Sequence, residues 1–268
     1  GTQNTLIGAL AGDALTSSGD NTAVGYRALG NATTGNENTA MGHTALFTNI
    51  LSNRNVAIGV DALSVHNQAT SVDSYNTAVG YQAGEKVTTG LQNTLIGGLA
   101  GDALTDADDN VAIGVVALTA DTLGSRSVAV GRGTLGAQNF TTATNTYNTA
   151  VGYDAGAAIT TGVQNTLVGA LAGDALTDAD FNVAVGINAL TADTLGSMST
   201  AIGDNALAAQ NFTTATNTYN VAVGISAGLN VTTGTQNTLI GALAGDALTD
   251  ADENVAVGYG ALGADTLG

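Results

Sequence analysis

A five-residue stretch, Asn-Thr-Ala-Val-Gly, recurs through the chain and limits what it can fold into. It stands unaltered at residues 21–25, 76–80 and 148–152. With Ser for Asn, Val for Thr, Leu for Ala, and Ile or Met for Val, it begins at 4, 21, 38, 55, 76, 93, 110, 127, 148, 165, 182, 199, 220, 237 and 254. These fifteen copies are 17 residues apart, except for steps of 21 leaving 55, 127 and 199. A fixed short period means a stack of like units, each packing mainly on its neighbours, rather than a closed globule.

Counting the Asn as position 1, position 5 is Gly in all fifteen copies, Gly25, Gly80, Gly97, Gly152, Gly169, Gly224 and Gly241 among them. Position 2 is Thr or Val, position 4 is Val, Ile or Met, and position 9 is Gly or Leu. Positions 2 to 4 favour a strand, with side chains alternating between faces. Helix is disfavoured by a glycine in every unit and by apolar runs of a few residues only. The spacing predicts a short strand over positions 1 to 4, a bend at the position 5 glycine, and a second extended piece over positions 7 to 10. The expected fold is all-β: a parallel β-solenoid of fifteen coils of 17 or 21 residues. Stacked at about 4.8 Å, they would span roughly 70 Å. Glycine serves as a structural turn residue here, and the Asn column as a turn cap or a ladder along the stack.

The whole chain, 1–268, reads as one solenoid array with a longer period on top. Residues 1–75 are divergent coils; 76–147, 148–219 and 220–268 are 72-residue blocks, the last incomplete. The chain opens and stops partway through a unit and is expected to be a segment of a longer array. Leu and Ala persist outside the strand, while aromatic residues make up only 4 %. A single narrow coil buries little, so several chains packed side by side are expected to supply the missing burial.

Charge narrows the partners. The net charge is −17, with five basic residues. Phosphate recognition needs clustered Lys or Arg, so a nucleic-acid partner is not expected, and direct contact with an anionic membrane is disfavoured. No apolar run approaches the roughly 20 residues that span a bilayer. There is no cysteine, hence no thiolate chemistry.

The repeat Asn-Thr-Ala-Val-Gly-x-x-Ala resembles the head repeat of YadA-like trimeric autotransporter adhesins; Ser127–Gly131 and Ser199–Gly203 come closest. It is also similar to phage tail-fibre repeats of the form Asn-Thr-Ala-Val-Gly-Tyr-x-Ala-Leu, which Asn21 to Leu29 fits residue for residue. The resemblance implies a left-handed β-roll that associates as a homotrimer. It also implies an extracellular place, on a bacterial surface or in a virion tail fibre. The function expected is that of a structural and adhesive segment, a stiff spacer with multivalent contact to a host-surface glycan or protein. The coils here are longer than the adhesin repeat, and neck, stalk and anchor are absent from this stretch. A subunit of a self-assembling filament and a monomeric ice- or crystal-binding solenoid are the alternatives. For the latter the position 2 column is broken, with Thr in nine coils and Val in six.

Three groups are candidate sites. The 21-residue coils should protrude and present Asn139, Phe140 and Tyr147, then Asn211, Phe212 and Tyr219, as a surface for sugar or receptor contact. The other reading is that the phenylalanines plug a gap between neighbouring chains. The pairs Asp106/Asp108, Asp178/Asp180 and Asp250/Asp252 could hold Ca²⁺, though they fit no EF-hand loop and also read as solvated acidic turns. His43 and His66 are isolated. No Ser-His-Asp set, phosphate loop or nucleophilic Cys is present, and a catalytic carboxylate pair would occur once rather than in every block, so no enzyme is expected.

Overall fold

The computed structural model describes all 268 residues as a parallel β-solenoid of fifteen coils, all-β and without helix. Each coil contributes one three-residue strand at positions 2 to 4. Contacts divide the chain into two compact units: residues 1–127 with 139–145, and 128–138 with 146–268. In the first unit, seven strands from Thr5–Ile7 to Val111–Ile113 pair in parallel, each with the next. In the second, eight strands from Val128–Val130 to Val255–Val257 do the same. Equivalent positions face one another, as in Thr149↔Thr166, Ala150↔Leu167 and Val151↔Val168, so every motif position becomes a column.

Alternation along the strand sorts these columns. Position 3, Ala or Leu, points inward; Ala40, Ala78, Leu95 and Leu167 have no exposed surface. Positions 2 and 4 point outward. The bend at position 5 requires glycine on two counts. Its φ lies between 124° and 143° in every coil. A Cβ on Gly169 would also fall 2.3 Å from the carbonyl oxygen of Gly186 in the next coil.

Positions 7 to 10 hold no second strand. They form consecutive turns, with left-handed backbone at position 7 and again at position 9. Short local bonds close them: in one coil Ala100 N–H to Gly97 O at 3.3 Å and Leu104 N–H to Gly101 O at 3.2 Å. The expected extended piece fails because two left-handed residues, two apart, curl the chain too tightly for a strand.

Position 9 shows how the core is filled. Where it is Leu, position 12 is small or polar, as in Leu46 with Asn49 and Leu190 with Asp193. Where it is Gly, position 12 is a branched aliphatic, as in Gly101 with Leu104 and Gly173 with Leu176. The swap is steric. A Cβ on Gly101 would meet Leu104 Cδ1 and Leu95 Cδ2, each at 2.8 Å. Each coil thus carries one large apolar side chain at either of two positions. The leucines at position 9 keep φ between 49° and 56°. That costs about 1–2 kcal/mol per residue, and full burial of the side chain, about 1.5–3 kcal/mol, offsets it.

Leu29, Leu46, Leu63, Leu118, Leu135, Leu190 and Leu207 of this column, with Leu104, Leu176 and Leu248 of the loops, are buried inside the single chain. They therefore do not wait for a neighbouring chain. The unmet burial lies on the outward sheet face instead.

Candidate functional surfaces

Between the first and last coils, the asparagines of position 1 are buried and join successive coils. Asn165 Nδ2 donates to the carbonyl of Ala179, near the end of its own coil, at 2.8 Å, while its Oδ1 accepts the N–H of Asn182 in the next coil at 2.9 Å. Asn76, Asn93 and Asn237 repeat the pattern. Each side chain closes its own coil and fixes the next, so this column is structural.

The ladder changes hands at Ser199, which opens a 21-residue coil. There Gln210 Oε1 accepts from Asn220 Nδ2 at 2.9 Å, and Gln210 Nε2 donates to Ser199 Oγ at 2.8 Å and Asp193 Oδ2 at 2.5 Å. Thr218 Oγ1 lies 2.6 Å from Ser199 Oγ. Asp193 is fully buried, and its Oδ1 accepts the N–H groups of Gly196 and Phe212, both at 3.0 Å. A carboxylate without solvent is tolerated because its oxygens are met by donors.

This network corrects the reading of the long coils. Phe140 and Phe212 are each only 7 % exposed, so they present no aromatic surface and plug no gap between chains. Their backbone N–H groups are tied to Asp121 and Asp193, which turns the rings inward. Asn139 and Asn211 are exposed, with Oδ1 accepting from Thr122 and Thr194 at 3.1 and 3.2 Å. Tyr147 and Tyr219 are about half exposed. Short two-residue strands, Gly124–Ser125 with Thr144–Asn145 and Gly196–Ser197 with Thr216–Asn217, hold these excursions. The four polar and tyrosine candidates stay at the surface; the two phenylalanines do not.

The paired aspartates are engaged within the chain. Asp106 and Asp178 accept from Thr89 and Thr161 of the preceding coil, at 2.5 and 2.6 Å, and Asp250 accepts from Thr249 at 3.1 Å. Asp108, Asp180 and Asp252 cap the N–H groups of Leu91, Val163 and Thr235 at 2.7, 2.7 and 2.6 Å. Partial burial pushes the Asp108 and Asp180 carboxyls above the usual carboxylate range; the capping bonds pull the other way, and Asp106 or Asp178 adds to the rise. No group of three or more His, Asp or Glu gathers as in a metal site.

The two histidines differ. His43 is exposed; His66 is fully buried, with Nε2 3.1 Å from Ser74 Oγ. Burial lowers the His66 pKa to about 4, against a smaller upward pull from the Thr88 backbone. His66 occupies position 12 of its long coil, the place that Gln138 and Gln210 take in the other two.

Sequence reasoning passed over the outward face of the sheet. Position 4 stacks branched aliphatics in register, and Met41, Ile58, Ile96 and Ile113 in the first unit are exposed, as are Val151, Val168, Ile202 and Ile240 in the second. Position 2 adds Thr or Val; past the bend, outside the sheet, position 6 carries exposed Tyr81, Tyr153, Ile187 and Ile225. The signal was present in the invariant aliphatic at position 4, given that position 3 faces inward. In fold this is a repeat protein of the parallel β-solenoid class, and each unit carries an apolar outer face. Compared with family models, with curated proteins and with solved structures, the chain matches none.

Proposed function

We propose that the chain is a segment of a homotrimeric extracellular fibre, a phage tail fibre or a bacterial surface adhesin, acting as a spacer that carries repeated surface contacts. One observation carries the reading: the in-register column of exposed Val, Ile and Met at position 4. Full burial of such a side chain stabilises by about 1.5–3 kcal/mol, and these are about one-third exposed, so each would add about 0.5–1 kcal/mol on association. The four in the second unit, Val151, Val168, Ile202 and Ile240, would contribute about 2–4 kcal/mol per chain, a driving force for association of identical copies. The sequence resemblance supports three as the number. The charge of −17 favours solubility of such an assembly and opposes sticking to other anionic surfaces.

The test is solution mass by light scattering. Three chains are expected for the unaltered protein. The double variant Val168→Lys, Ile202→Lys should give single chains that keep their β circular dichroism. A single chain for the unaltered protein would overturn the proposal.

A further inference from the structure

Arg54, Arg126 and Arg132 each face a carboxylate: Glu37 and Asp73, Asp109, and Asp154 respectively. Arg27 faces aromatic rings. Its guanidinium lies 5.4 Å from the ring centre of Tyr26 and 5.7 Å from that of Phe47, and it forms no ion pair. Tyr26 in turn stacks on His43 of the next coil, centre to centre 5.3 Å at 28°. His43 Nδ1 is 2.9 Å from Thr44 Oγ1. Phe47 has room because the preceding coil carries Gly30 opposite it; a Cβ there would sit 2.9 Å from Phe47 Cε2. The result is a row, Phe47–Arg27–Tyr26–His43, in coils that diverge from the regular blocks; Arg27, Tyr26 and His43 are exposed and Phe47 is half-buried.

Each part of this row has a chemistry. Arg27 is a cation within cation–π reach of two rings and outside any ion pair, and a guanidinium can take a carboxylate by two parallel bonds. Beside it, the Tyr26–His43 stack offers ring faces to the C–H groups of a pyranose. The chain as a whole is acidic, but charges more than about 8 Å away are screened at physiological salt. The near field at Arg27 therefore decides.

We infer that Tyr26, Arg27, His43 and Phe47 form a binding site for a carboxylate-bearing sugar. This deepens the surface-contact part of the proposed function and places it in the first unit. Arg27 holds the carboxylate, the Tyr26–His43 stack supports the ring, and Phe47 flanks the guanidinium.

The experiment titrates the full chain, in roughly 0.15 M salt, with a galacturonate tetramer and with the neutral galactose tetramer. Binding is followed by calorimetry and by the His43 ring proton signals. The galacturonate tetramer should bind at least about tenfold more tightly than the neutral one, the worth of a charge-assisted pair, and should shift the His43 signals. Arg27→Gln should remove that preference and Arg27→Lys restore it in part. Tyr26→Val, the residue that the fourth coil carries at this position as Val60, should weaken both sugars. Equal binding of the two tetramers, or an Arg27→Gln variant that binds like the unaltered chain, would overturn the site. So would absence of binding at millimolar sugar. Light scattering on the same samples separates the two ideas: trimers without galacturonate binding remove the site alone, and single chains that bind remove the fibre alone.

Discussion

Replacing Asn165 by Ala tests the ladder that joins the coils. The substitution removes the acceptor of the Asn182 N–H and the donor to the Ala179 carbonyl, bonds of 2.9 and 2.8 Å. Both orphaned groups belong to residues with no exposed surface, so water cannot replace the amide. An unsatisfied buried group costs about 1–3 kcal/mol. Two of them amount to about 2–6 kcal/mol, and about 4 kcal/mol is the expected loss. Ser is the informative second variant, because Ser stands at this position in Ser127 and Ser199. At Ser199 the lost amide functions pass to Gln210 and Thr218: Gln210 Oε1 accepts the Asn220 amide, and the Asn220 N–H points to Thr218 Oγ1 at 3.4 Å. Asn165 has no such helpers within its 17-residue coil, so Asn165→Ser should cost nearly as much as Asn165→Ala. The assay is urea unfolding together with hydrogen exchange at the Asn182 amide, since a stacked array opens locally as well as globally. In both variants the Asn182 amide should lose protection before amides two coils away. A loss below about 1 kcal/mol for Asn165→Ser, or unchanged protection at Asn182, would refute the reasoning, because the ladder would then be a consequence of stacking and not one of its causes.

Three further substitutions probe other columns. Gly169→Ala places a Cβ 2.3 Å from the next coil's backbone oxygen at φ 139°; backbone cannot yield as a side chain does, so a loss of more than about 4 kcal/mol is expected in thermal or urea unfolding. His66→Gln tests the buried imidazole. Above pH 6.5 it is neutral in both states, whereas between 6.5 and about 4 the unfolded chain takes up a proton that the fold refuses. Stability therefore falls as pH drops through that window, by about 3 kcal/mol in all, and the Gln variant should show a flatter profile of urea midpoint against pH across the same window. Asp180→Asn keeps an oxygen for the Val163 N–H and removes a charge that burial and Asp178 disfavour. Its raised folded pKa means the carboxylate form weakens the fold as pH rises above the carboxylate range, so the variant should melt slightly higher at about pH 7 and lose that advantage below about pH 4.

What the sequence disclosed follows from which interactions are periodic. Stacking turns every motif position into a column, so a residue type repeated every 17 steps reports its own environment. Gly at position 5 announced a special backbone, and a strand over positions 1 to 4 followed from alternation; it forms over 2 to 4. The turns at positions 7 to 10 did not follow. Position 9 alternates between Leu and Gly, and only the partner choice at position 12, as in Gly101 with Leu104 against Leu190 with Asp193, makes sense of it. Phe140 and Phe212 misled for a related reason. An aromatic in an insertion looks like a protrusion, but Asp121 and Asp193, each one coil earlier, bind the phenylalanine N–H groups and fold them in. Those contacts cross 19 residues, because they join position 12 of one coil to position 14 of the next and so fall outside the 17-residue columns. The Arg27 row was hidden because it rests on Tyr26, His43, Phe47 and Gly30, each at a position that varies from coil to coil. In a stack of this kind periodic residues build the scaffold, and chemistry that must occur once is carried by residues that break the period. The singular clusters of the divergent first coils are therefore a better place to look for recognition than the loops repeated in every block.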